Sequence, residues 1–227
     1  MDFGKVFDEK VAKDLAVMLG GVEVMTPSQK DLLPRKKDAV EVGAVRVIGG
    51  LRPQNYDVGY QPDGVRFVFD SKTLNDSESV RKNFQNMVND LYTEAMTVHL
   101  RFPYAVVGFM VVIPSPCFTG GIRSRFTRML DRLVGRASPL DANHKAEAVS
   151  LVLWDPINGR IELAWPEPGS PLRIERFSEQ VQKQYYERYA GMPPHDKPSA
   201  AQKEAMREAG EEVPEPEEPD EENGTGD

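Results

Sequence analysis

The sequence is poor in residues that staple or anchor a chain. Its one cysteine, Cys117, rules out an internal disulfide, and three histidines standing singly, His99, His144 and His195, give no zinc-ligand spacing. No apolar run approaches the roughly 18 residues that a membrane-crossing helix requires. The opening stretch, MDFGKVFDEKVAKDL, is acidic and amphipathic where a secretory leader is apolar. These absences point to a cytoplasmic protein without a membrane partner.

Positive charge is also short, with 28 lysines and arginines against 36 aspartates and glutamates. The deficit is local. From Gly191 to the end the chain carries 12 acidic residues, 3 basic ones and six prolines, and almost no large apolar side chain. Such a composition cannot bury enough surface to offset the entropy of ordering, so 191–227 reads as a disordered acidic Pro/Glu-rich tail. Residues 1–190, with 25 basic and 24 acidic residues, form the expected single domain, and near-neutrality leaves a nucleic-acid partner open.

Within that domain the hydrophobic period changes in a definite order. Val6, Phe7, Val11, Leu15, Met18 and Leu19 mark a helix over 5–19. Strand-like runs follow at 44–49, 56–60 and 65–71, the last two joined by the turn-forming QPDG. Val80, Phe84, Met87, Val88, Leu91, Ala95 and Val98 then trace a long helix capped by Asp76 or Ser77. The unbroken apolar run in 104–114 predicts a strand buried on both faces. A helix over 121–136, strands at 148–154 and 160–165 around DPINGR, and a helix near 173–190 complete the order. It predicts an α/β fold with a mixed central sheet flanked by helices.

The hairpin carries the chemistry. A turn centred between Pro62 and Asp63 sets Tyr60 opposite Val65 and Asn55 opposite Asp70. Alternation then places Tyr56, Val58, Tyr60, Phe67 and Phe69 on an apolar face, and Asp57, Asp70 and Lys72 together on the other. Asp57 and Asp70 become diagonal neighbours with Cβ atoms about 7 Å apart, a spacing that lets two carboxylates grip one cation. Hard oxygen ligands of this kind suit Mg²⁺. A lysine beside them can hold or deprotonate an attacking water and balance charge on a phosphate.

The pattern NYD at 55–57 followed by DSK at 70–72 resembles the PD-(D/E)xK nuclease superfamily, which includes many type II restriction endonucleases. The order α-β-β-β-α-β over about 5–113 is similar to that superfamily's core. The resemblance implies a Mg²⁺-dependent endonuclease acting on DNA, with Asp57 and Asp70 as metal ligands and Lys72 as the catalytic lysine. It allows a homodimer. The literal dipeptide Pro62-Asp63 sits at the turn tip, roughly 20 Å along the strand from Asp70 and too far to share a metal with it. An acidic residue from the first helix or the following loop, Asp8, Glu9, Asp14 or Glu41, is the further ligand that the family often adds.

A second constellation bears on the substrate. In GGIRSRFTRMLDRLVGR, Ile122, Phe126, Met129 and Leu133 form one helical stripe, and Arg125, Arg128, Arg132 and Arg136 form another suited to a phosphate backbone. Tyr185, Tyr186 and Tyr189 read as packing residues. The alternatives are a non-catalytic nucleic-acid-binding or assembly subunit of the same fold, or a repair, recombination or phage-defence nuclease.

Overall fold

The computed structural model describes residues 3–28, 31 and 33–195. Helix α1 (Phe3–Met18) leads through a short β1 (Glu23–Met25) into β2 (Ala39–Ile48), β3 (Pro53–Tyr60) and β4 (Phe67–Thr73). Helix α2 (Ser77–His99) crosses over to β5 (Val106–Pro114), and α3 (Gly120–Leu133), β6 (Ala148–Trp154) and α4 (Ile174–Tyr189) follow. The six strands form one sheet in chain order. β2, β3 and β4 are an antiparallel meander, while β4, β5 and β6 run parallel and β1 runs parallel to β2. The chain is thus α/β, with a mixed sheet flanked by helices.

Alternation along β5 explains why it reads as a solid apolar run. Val107, Phe109 and Val111 pack with Leu91 of α2 and Phe126 of α3, whereas Val106, Met110 and Val112 pack with Leu15 of α1 and Phe177 of α4. Every residue of the strand is buried, and the two cores together hold the sheet. Asp76 caps α2, its side chain accepting from Glu78 N at 2.9 Å and Ser79 N at 2.8 Å.

Three expectations are corrected. The segment 160–165 is not a strand: only Ile161 bridges back to Trp154, and Leu163 stands exposed beyond it. The arginine helix ends at Leu133, with Gly135 at a φ of +93° just past it, so it does not reach 136. The folded body also continues past 190. Arg66 donates to the Pro193 carbonyl, and the Tyr185 hydroxyl lies 2.8 Å from His195 Nε2, so 191–195 pack on the body. The rest of the acidic tail, 196–227, lies outside the described residues.

Candidate active site

The β3–β4 hairpin pairs Val58 with Phe69, Gly59 with Val68 and Tyr60 with Phe67. Tyr60 therefore faces Phe67 rather than Val65, because the connection is longer than a tight four-residue turn. A shift of two residues leaves faces unchanged. Val58, Tyr60, Phe67 and Phe69 all pack on the side of α1 and α4, as alternation predicts.

Asp57 is where alternation fails. The β2–β3 register shifts between Val42 and Val45, a bulge that reorients the strand pair. Tyr56 crosses to the α2 side, where its hydroxyl donates to the Glu94 carbonyl at 2.9 Å. Asp57 turns the other way. Its Oδ2 accepts from Ser71 N at 2.8 Å and from Ser71 Oγ at 3.1 Å, taking the place of the ladder bond that β3 no longer supplies. The shared face expected for Asp57 with Asp70 and Lys72 is thus not formed, and the two aspartates do not flank one point from one side.

Asp57 instead opens onto a cavity of about 450 Å³ lined by Lys5, Asp8, Asn55, Ser71 and Thr73. Of the four candidate acids near the N-terminus, Asp8 lines this cavity. Glu9 and Asp14 pair with Lys13 and Lys10 on the helix surface, and Glu41 is buried beside Gln61, its pKa raised by burial.

Asp70 and Lys72 project to the α2 side, and there a residue not anticipated from sequence meets them. Glu94 sits on the apolar stripe of α2, three residues after Leu91 and seven after Met87, so its carboxylate is carried into the core. Lys72 Nζ contacts the Asp70 carboxylate and donates to Glu94 Oε1 at 3.0 Å. Gln54 Nε2 reaches the same Oε1 at 3.3 Å. The side chains of Asp70 and Glu94 are 8% and 5% exposed, so this is a nearly dry triad.

Its electrostatics are unusual for a structural ion pair. Burial pushes the Asp70 pKa up to about 9; Lys72 opposes the shift, and Glu94 and Asp57 add to it. Burial alone would lower the Lys72 pKa, but Asp70 and Glu94 outweigh it and leave it raised. Glu94 Oε2 is buried and accepts no hydrogen bond. Burial thus favours a proton on Asp70 beside the Lys72 ammonium, and it leaves Glu94 Oε2 an acceptor without a donor. That is an arrangement a divalent cation completes and a folded core otherwise disfavours.

Among the described residues no three histidine, cysteine, aspartate or glutamate side chains are grouped as a ready cation site. A Mg²⁺ ion typically takes one or two carboxylates and leaves its other positions to water and phosphate oxygen, so Asp70 and Glu94 fit it as a pair.

Of the arginine stripe, Arg125, Arg128 and Arg132 are exposed on α3, and Arg123 stacks over the Trp165 ring at 3.9 Å. Arg136 is not part of it. It is 1% exposed, and its guanidinium donates to Glu147 Oε1 and the Pro103 carbonyl, both at 3.0 Å, and to the Pro139 carbonyl at 2.9 Å. Its expected role in DNA binding is corrected, because a buried guanidinium already tied to Glu147 and two carbonyls cannot reach a phosphate. Asp63, at the turn tip, pairs with buried Arg66. Tyr185 and Tyr189 are buried on α4, as expected of packing residues. No protein-family model, curated protein or solved structure matches this chain.

Proposed function

We propose that the protein is a Mg²⁺-dependent DNA endonuclease of the restriction type, hydrolysing phosphodiester bonds at Asp70, Lys72 and Glu94. The observation that carries this is the lysine clamped between two buried carboxylates at the end of β4. The order α1, β2, β3, β4, α2, β5 supports the resemblance to the PD-(D/E)xK superfamily.

Asp70 and Glu94 would hold the cation. When bound, Mg²⁺ would polarise a phosphoryl oxygen and lower the pKa of a bound water. The chain's own residues do the rest. Lys72 is kept protonated by its two carboxylates, so it supplies positive charge where a phosphorane would build negative charge. Asp57 acts as a positioning residue. It pins the amide of Ser71, the residue between Asp70 and Lys72, and so fixes the backbone from which both side chains project. Arg125, Arg128 and Arg132 would neutralise backbone phosphates irrespective of sequence.

The test is incubation of supercoiled plasmid with the purified protein, with and without Mg²⁺, beside the Asp70→Asn variant. Cleavage by the wild type alone and only with Mg²⁺ is expected. DNA binding without metal-dependent cleavage would make the protein a non-catalytic binding subunit, and cleavage by Asp70→Asn would remove the site assignment.

A further inference from the structure

Strand β3 holds Glu94 at two points. The Tyr56 hydroxyl donates to the main-chain carbonyl of Glu94 at 2.9 Å, and Gln54 Nε2, two residues earlier, donates to its carboxylate Oε1 at 3.3 Å. Residues two apart on a strand share a face, so one short piece of β3 reaches both the backbone and the tip of a single side chain. The direction of the second contact follows from chemistry. A carboxylate oxygen only accepts, so the Gln54 amide turns its NH2 toward it.

The hairpin that carries these two residues is itself fixed to α2. Gly50 N, in the β2–β3 turn, donates to the Thr97 carbonyl at 2.7 Å, and Arg101 Nη1 donates to the Ile48 carbonyl at 2.9 Å. The approach is close enough to need glycine. A Cβ on Gly49 would lie 2.3 Å from Thr97 Cγ2, and one on Gly50 would lie 2.5 Å from Leu100 Cβ. Thr97 stands three residues after Glu94, so the turn and the Gln54–Tyr56 pair grip neighbouring positions along one face of the helix.

These contacts divide the two oxygens of Glu94 between two tasks. Oε1 accepts from Lys72 Nζ at 3.0 Å and from Gln54, whereas Oε2 is buried with no donor among the described residues. The last torsion of a glutamate is broad and two-fold, so an untethered carboxylate would exchange its oxygens. Two donors on one oxygen and an anchored backbone remove that freedom. We infer that Gln54 and Tyr56 are positioning residues that aim Glu94 Oε2 at the cation. This rests on the nuclease proposal and its pair of ligands, Asp70 and Glu94. Outer partners that orient a ligating carboxylate typically set metal affinity by about 10–100-fold, which is more than a hydroxyl placed only to satisfy a buried tyrosine would do.

The experiment reads Mg²⁺ binding by the full chain as the rise in melting temperature with metal concentration, beside plasmid cleavage. Tyr56→Phe and Gln54→Met keep the shape of each side chain and remove its donor. Each should need on the order of tenfold more Mg²⁺ for half the melting increment and for half-maximal cleavage, and most of the turnover should return at saturating metal. In a Glu94→Gln background neither substitution should shift the Mg²⁺ requirement further, because both act through that carboxylate. Gln54 is only half-buried, so Gln54→Met carries the test even where loss of the Tyr56 hydroxyl unsettles the fold. A wild-type Mg²⁺ requirement in either folded variant, or an equal shift in the Glu94→Gln background, would overturn the inference and leave the nuclease standing. A wild type that neither binds Mg²⁺ nor cleaves would overturn both.

Discussion

Lys72 of β4 and Glu94 of α2 meet at 3.0 Å across the interface between sheet and helix, and the third member, Asp70, lies two residues before the lysine. Helix α2 therefore both covers the core and delivers a carboxylate to the site. Glu94→Gln should leave the fold intact, because the amide keeps the shape and can still accept from Lys72. Cleavage by this variant should fall at least a hundredfold, and half-maximal activity should need more Mg²⁺. Wild-type activity and Mg²⁺ dependence in Glu94→Gln would return the second ligand to Asp57.

Asp70 ties stability to pH in a direction opposite to that of an ordinary surface carboxylate. Its folded pKa is raised from 3.8 to about 9, so the folded chain keeps a proton that the unfolded chain releases. That contribution is fully present below the unfolded value and is lost as pH climbs through about 9. Without divalent ions the loss of this contribution should lower the melting temperature between about pH 4 and pH 9, and Asp70→Asn should flatten the decline. Because a cation competes with that proton, the melting increment from Mg²⁺ should grow over the same range. A wild type and variant with parallel profiles would show that Asp70 is already charged.

Asp57 and Asp63 are separated by their partners. Asp57→Ala, by freeing the Ser71 amide, should lower turnover with a smaller change in Mg²⁺ requirement than Asp70→Asn produces. An equal loss of metal affinity would make Asp57 a direct ligand. Asp63→Ala leaves Arg66 without its carboxylate and should cost some stability, but turnover per folded molecule should stay unchanged.

The arginines divide in the same way. Replacing Arg125, Arg128 and Arg132 with alanine should weaken binding to all DNA sequences alike, and flatten the salt dependence by about 0.9 log units for each phosphate no longer neutralised. Arg136→Ala should instead destabilise the fold by about 1–3 kcal/mol, since Glu147 keeps Arg188 but loses one of its two guanidiniums and the Pro103 and Pro139 carbonyls lose their donor, and denaturant titration reads the difference.

Truncation should distinguish the tail from the body. A chain ending at His195 should melt like the full protein, and one ending at 190 should melt lower, having lost the cover over Arg66 and Tyr185. The longer truncation removes 12 acidic and 3 basic residues; if that charge competes for the α3 arginines, it should bind DNA more tightly at low salt only. Identical binding at every salt concentration would make the segment a solubilising extension.

Much of this fold is legible in the sequence because its signals are local. The apolar run of β5, the period of α2 and the Asp76 cap each depend on neighbours within a few residues. The parity of Val58, Tyr60, Phe67 and Phe69 survives an error in register, since a slip of two conserves faces. Alternation misplaces Asp57 because its orientation depends on a bulge in a different strand, β2, which no pattern within β3 reveals. Arg136 continues the four-residue spacing of its neighbours past the end of the helix that would have given the spacing meaning. Glu94 is legible in principle, since an acid on the buried stripe of a helix signals a partner.

The carboxylate of Glu147 has a further mechanical consequence. Oε1 takes Arg136 and Arg188, Oε2 takes Val107 N at 2.8 Å, and His99 Nε2 lies 3.3 Å away, so the end of α2, the start of β5, the exit from α3 and the last turn of α4 converge on one group. Burial would raise its pKa, but His99, Arg188 and the Val107 amide outweigh burial and keep it ionised. Helix α4 cannot lift away without exposing Arg188 and leaving that charge short of a partner. Local opening of α4 is therefore expected to be nearly as rare as global unfolding, and its amides should exchange with solvent deuterium on the same timescale as those of β5.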